Sequence, residues 1–209
     1  MKKRTNIIII IALTILLIIE IILVKTNSFP QIDSFVYTLI SNFITPVNTA
    51  IFKLFSFFGS EIFIIILCLL VLFLFKKKSR GIGFTFILLL STLFNQGLKL
   101  IVGRERPDIN QLVTESSYSF PSGHTMIITT IVGLFIFYLW NNKKGSRTKK
   151  IVITIILTII AFLVMLSRIY LGVHYFSDII GGITASLLLL AIVYYYYTFK
   201  YKVPYFPKK

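Results

Sequence analysis

Long runs of Ile, Leu, Val and Phe, broken only by short clusters of lysine and arginine, decide what this chain can fold into. A helix needs about 20 apolar residues to cross a bilayer, with about 17 to 25 tolerated. Six stretches qualify: residues 5–25, 59–75, 82–102, 123–141, 151–171 and 178–199. With 56% of its 209 residues hydrophobic, a soluble domain of this size could not hide so much apolar surface. The expected fold is all-α and integral to the membrane, a six-transmembrane-helix bundle. No polar or Pro/Gly/Ser-rich linker divides it, so residues 1–209 read as one membrane-embedded domain.

The first run follows Lys2, Lys3 and Arg4, as the apolar part of a signal peptide does. It is long for that purpose, and Lys25-Thr26-Asn27-Ser28-Phe29 is a poor cleavage site, so the expectation is an uncleaved first span. The second stretch is short, with Glu61 and Lys76 at its two interfaces. Between the first two lies Gln31 to Phe58, too polar to cross, yet with Phe35, Leu39, Ile40, Phe43 and Val47 at helical spacing. One or two interfacial helices are expected there. Whether they form a lid or simply pack on the bundle stays open. Cys68 is alone, which excludes an internal disulfide and a cysteine metal cluster.

A net charge of +15 would point to nucleic acid in a soluble protein. Here the cations sit in short loops, so no nucleic-acid partner is expected. One set of loops holds Lys2, Lys3, Arg4; Lys76, Lys77, Lys78, Arg80; Lys143, Lys144, Arg147, Lys149, Lys150; and Lys200, Lys202, Lys208, Lys209. That is 16 of the 22 Lys and Arg residues, and all seven acidic residues avoid these loops. The positive-inside rule then sets both termini in the cytoplasm. Three polar stretches fall on the outer face: Lys99-x6-Arg106-Pro107, Pro121-Ser122-Gly123-His124, and Ser167-Arg168-x5-His174-x3-Asp178.

Each stretch alone has a plainer explanation. Lys99 could snorkel to the headgroups. Ser122 could cap a helix. His174 and Asp178 could be a structural pair one turn apart. Together they form an inventory for holding a phosphate and attacking it: three cations, two imidazoles, a carboxylate, and a Pro-Ser-Gly turn that lets backbone approach a ligand. Ionisable groups at the ends of membrane spans are costly and default to a functional reading.

In order and in spacing, these motifs resemble the three-part signature of the type 2 phosphatidic acid phosphatase superfamily, in its bacterial membrane branch. The signature covers residues 99 to 178, and the six-span plan extends the likeness over most of the chain. The resemblance implies a metal-independent lipid phosphatase of a bacterial cell membrane. His174 is then the nucleophile that forms a phosphohistidine. Asp178 fixes its tautomer. His124 acts as general acid and then base. Lys99, Arg106 and Arg168 hold the phosphate, with Ser122 and the Gly123 backbone N–H assisting. Ser167 belongs to the signature and reads as packing. No metal or cofactor is expected, because three cations around the histidines repel a divalent ion.

The expected substrate is a lipid phosphate or pyrophosphate. An outward site favours undecaprenyl pyrophosphate, which is left at the outer face; phosphatidylglycerophosphate and phosphatidic acid are the alternatives within the family. A transporter would need interrupted helices and polar groups near the midplane of both halves. A non-catalytic lipid binder would have no use for two histidines.

Overall fold

A computed structural model of the chain describes residues 3–74, 78–109, 111–142 and 145–200. Eight α-helices follow one another: α1 (Lys3–Lys25), α2 (Pro30–Ser41), α3 (Pro46–Phe57), α4 (Glu61–Leu74), α5 (Lys78–Val102), α6 (Gly123–Asn141), α7 (Arg147–Tyr170) and α8 (Phe176–Tyr195). The last runs into a π-helical turn at Tyr196–Lys200. No strand occurs among the described residues, in keeping with the expected all-α fold. Of the basic loops, Lys2, Lys76, Lys77, Lys143, Lys144, Lys202, Lys208 and Lys209 lie outside the described residues.

Helices α1, α5, α6, α7 and α8 (with its π turn) are each long and apolar enough to cross a bilayer. The expected second span is different. Helix α4 has 14 residues, about 21 Å at the helical rise, and falls short of a hydrocarbon core about 30 Å thick. Only together with α3 does it qualify, as a pair bent by 44°. The sixth candidate crossing is thus a broken pair, and α3, from the segment expected to hold one or two interfacial helices, belongs to it. The bend brings Gly59 against His124, where a Cβ would come within 2.9 Å of the imidazole Cδ2.

Helix α8 packs on α1 and α6, α6 also on α5 and α7, and α7 on α3. Lipid supplies no hydrophobic drive between helices, so close packing and interhelical hydrogen bonds hold the bundle. Gly181 and Gly182 allow α8 to cross the start of α6: a Cβ on Gly181 would sit 2.3 Å from the Phe120 ring, and one on Gly182 2.9 Å from the Thr125 side chain. Ser186 Oγ donates to the Met126 carbonyl at 2.8 Å. Thr184 Oγ1 donates to Glu20 Oε1 at 2.8 Å, and Asn6 Nδ2 to the Ala191 carbonyl at 3.1 Å. Such bonds contribute on the order of 1 kcal/mol each. Leu17, Leu98, Met126, Ala185 and Leu188 fill the space between them.

The loop from Gly103 to Ser122 is stitched across one end of the bundle. Leu112 N–H donates to the Leu171 carbonyl at 3.0 Å, and Ser122 N–H to the Asp178 carbonyl at 3.1 Å. The ends of α5 and α7 and the starts of α6 and α8 therefore share one end with this loop. Helix α2 lies against α7 and α8 there. Its Phe35 and Leu39 face outward, and its buried residue is Asp33.

Candidate active site

The chain reverses between α7 and α8 at Gly172, whose φ of +74° is open to glycine at little cost. The turn that follows presents His174 just before α8. Its Nδ1 lies 3.2 Å from Asp178 Oδ2 and 3.3 Å from Ser119 Oγ. Asp178 is wholly buried. Its Oδ2 also accepts the Tyr175 N–H at 2.9 Å and the Ser119 hydroxyl, while Oδ1 accepts from Arg104 Nη1 at 2.7 Å. With a carboxylate accepting at Nδ1, the proton of the neutral imidazole sits there and the lone pair is left on Nε2. Burial pushes the imidazole down to about 4, against the pull of Asp178, so it is neutral at pH 7.

Nε2 faces cations. Arg106 Nη1 stands 3.4 Å from it and is anchored on the Val173 carbonyl at 2.8 Å. Arg106 Nε donates to the Ser117 carbonyl at 2.7 Å. Lys99, at the last turn of α5, donates to Ser117 Oγ at 2.8 Å and to the Tyr118 carbonyl. Arg168, buried at the end of α7, donates Nη1 to Ser56 Oγ and Nη2 to Glu115 Oε1. Its buried Nε has no hydrogen-bond partner among the described residues. Glu115 Oε2 also lies 3.7 Å from Arg106 Nη2. One carboxylate thus rests between two of the guanidinium groups.

Lys99, Arg106, Gly123, His124, Arg168 and His174 line a single cavity of about 420 Å³. Ile62, Ile64, Val113 and Ile127 line it as well, so the cavity offers apolar surface beside its charged groups. The remaining predicted residues stand behind the wall. The Ser122 hydroxyl is fully buried and caps α6, accepting from the Thr125 N–H. Asp178 backs His174. Ser167 Oγ bonds the Val164 carbonyl at 2.6 Å within its own helix, as packing requires. Asn95 Nδ2 holds the Pro121 carbonyl at 3.0 Å, fixing the turn that precedes Gly123.

Several residues escaped the sequence reading. Arg104 is one of the six unassigned positions between Lys99 and Arg106, and Glu115, Ser117 and Ser119 lie between the first and second polar stretches. Asp33 and Ser56 lie in the segment read as interfacial, and Gly59 opens the stretch read as the second span. The available signals were Arg104 two residues before Arg106, and Asp33 as the acidic residue of an apolar helix. Chemically, a neutral imidazole with its lone pair on Nε2, set among three cations in a cavity that also holds a second imidazole, can attack an electrophile that carries negative charge.

A model of the PAP2 superfamily matches residues 80–202 of the chain. Phosphatidylglycerophosphatase B of Bacillus subtilis (strain 168) is 40% identical over 109 residues, 51% of this chain and 54% of that protein. The chain spans about half the length, or less, of the curated relatives it matches. Among solved structures, a transmembrane PAP2 type phosphatidylglycerolphosphate phosphatase from Bacillus subtilis superposes with a TM-score of 0.81 at 27% identity, covering 92% of this chain and 98% of that one. Aquifex aeolicus LpxE superposes with a TM-score of 0.61 at 26% identity, covering 78% and 96%.

Proposed function

Since the chain belongs to the PAP2 superfamily, we propose that it is a metal-independent lipid phosphatase working through a phosphohistidine at the outer face of a bacterial membrane. The observation that carries this reading is the cavity, in which two histidines and three cations meet while Asp178 backs one of the histidines. Its apolar lining residues suit the tail of an amphiphile and its cations the headgroup.

In this mechanism, His174 Nε2 attacks phosphorus, and the bond from phosphorus to the leaving oxygen breaks. His124 gives that oxygen a proton. Water then attacks the phosphohistidine and yields its proton to His124. The nitrogen–phosphorus bond breaks, releasing phosphate and the neutral imidazole. Asp178 stabilises the charge that His174 gains while it carries the phosphoryl group. Lys99, Arg106 and Arg168 bind the equatorial oxygens, where charge spreads in the transition state. The Gly123 backbone and the start of α6 add partial positive charge. Ser122 acts through the cap it makes on that helix.

With the site outward, undecaprenyl pyrophosphate is the favoured substrate, because it is present at that face without having to cross. Phosphatidylglycerophosphate is the second reading, favoured by the name of the Bacillus subtilis relative. Phosphate release from each lipid, and from phosphatidic acid, measured with purified protein in detergent and EDTA throughout, tests the proposal. Release is expected despite EDTA, since side-chain cations supply the charge. Release that vanished and returned only with Mg or Zn would overturn the cation mechanism, and release from none of the lipids would overturn the activity.

A further inference from the structure

The cation that touches the Asp178 carboxylate is not one of those lining the cavity. Arg104, just beyond α5, donates Nη1 to Asp178 Oδ1 at 2.7 Å and to Ser177 Oγ at 2.7 Å. Its Nη2 reaches Asp33 Oδ2 on α2 at 2.8 Å. The guanidinium carbon lies 3.9 Å from the centroid of the Tyr175 ring, a stacked position that holds the fork in one plane. Asp33 is buried although α2 lies at the end of the bundle. Its Oδ1 accepts the Ser177 N–H at 2.8 Å and its Oδ2 the Ser177 hydroxyl at 2.7 Å.

We infer that Asp33 and Arg104 are positioning residues for the nucleophile, with Arg104 dividing its charge between Asp33 and Asp178 so that α2 sets how strongly Asp178 supports His174. This rests on His174 being the nucleophile. Holding α2 against α8 needs only the two bonds from Asp33 to Ser177. The shared guanidinium adds something else. It is a fixed array of donors suited to bridging two carboxylates, and any change in the charge of Asp33 alters what Asp178 receives. Asp178 in turn meets His174 Nδ1 at 3.2 Å. The other groups around His174 are Arg106, Arg168 and His124 in the cavity, Ser119 at Nδ1, and Lys99 and Glu115 farther along the same cavity. Asp178 additionally meets Ser119 and the Tyr175 backbone.

The sign of the effect separates this role from a structural tie. Removing the Arg104 charge turns the whole of Asp178 on His174 and favours the imidazolium. Removing the Asp33 charge gives Arg104 wholly to Asp178 and disfavours it. The experiment is single-turnover formation of labelled phosphoenzyme from an activated aryl phosphate, using the full chain purified in detergent, followed as a function of pH. Wild-type label is the control; its absence would sink the nucleophile assignment rather than this inference. In Arg104→Gln the acid limb of the profile should move up by about one pH unit, as loss of a nearby charge typically gives. In Asp33→Asn it should move down by a smaller amount. The double variant should follow Arg104→Gln alone, because Asp33 acts through Arg104. In Arg104→Lys, where one ammonium can serve only one carboxylate well, the limb should lie between wild type and Arg104→Gln. If Arg104→Gln does not purify as a monodisperse protein, Arg104→Lys and Asp33→Asn carry the test and must move in opposite directions. Limbs that stay at the wild-type pH while rates fall, or that move the same way in both variants, would overturn the relay.

Discussion

At the scale of single residues, the chemistry turns on a histidine kept neutral by burial. The His174 imidazole is held down to about 4, chiefly because charging it inside the protein is costly, and Asp178 recovers only part of that cost. Label formation from free enzyme and substrate should therefore stay level as pH falls through the ordinary histidine range and drop only toward 4; a limb centred near 6.5 would contradict this. The unfolded chain takes the same proton near 6.5, so stability from this group is full above 6.5 and declines as pH falls toward 4. Glu115 makes a second case. Its carboxylate rests on Arg168 and Arg106, the donors proposed to hold the phosphate. An oxyanion inhibitor such as vanadate must displace it, so Glu115→Gln should lower the inhibition constant, on the order of tenfold for one charge-assisted hydrogen bond. Unchanged or weaker inhibition would show that the two carboxylate oxygens and the oxyanion occupy different places. Lys99, Arg106, His124, Arg168 and His174 were legible in the sequence because their types and spacing form one chemical set. Glu115 and Arg104 were not, since a charged loop residue has the same signature whether it meets solvent or a buried partner.

At the scale of elements, the broken pair α3–α4 frames His124, the proposed general acid. Gly59 stands in the bend, and His124 lies where its Cβ would be. Gly59→Ala should therefore push the ring aside and lower turnover of lipid substrates, toward the about 10²–10⁴-fold that general acid catalysis is worth. An activated aryl phosphate, whose leaving group needs no proton, should be spared in the first step. Equal losses on both substrates would point to a wider collapse of the cavity. Periodicity located α1, α5, α6, α7 and α8, because a run of apolar residues in lipid has few alternatives to a helix. It could not show that α3 continues into α4. Pro46 starts one helix and Phe58-Gly59-Ser60 ends it, so residues 59–75 read as a short crossing of their own, with the segment before them as interfacial. Nor could it show that α2 turns Phe35 outward and buries Asp33: the pattern records that an apolar stripe exists, not whether lipid or protein covers it.

For the whole molecule, orientation decides which lipids can reach the site, and the proposed outward-facing site rests on where the loop cations fall. A cysteine introduced in the 104–118 loop should react with an impermeant thiol reagent in intact cells, and one introduced at 145–149 should not; the reverse pattern would move the site to the cytoplasm and remove the preference for undecaprenyl pyrophosphate. The spans and the site meet in the proposed turnover cycle, and the direct test of that cycle is the covalent intermediate. Rapid quench of the purified protein with labelled aryl phosphate should trap an acid-labile, alkali-stable phosphoryl group on His174. His174→Ala should carry none. In His124→Ala the label should accumulate, because the first step no longer needs the acid while attack by water still lacks its base. Label retained in His174→Ala, or none in His124→Ala under any condition, would contradict the assignment of nucleophile and general acid on which the account stands.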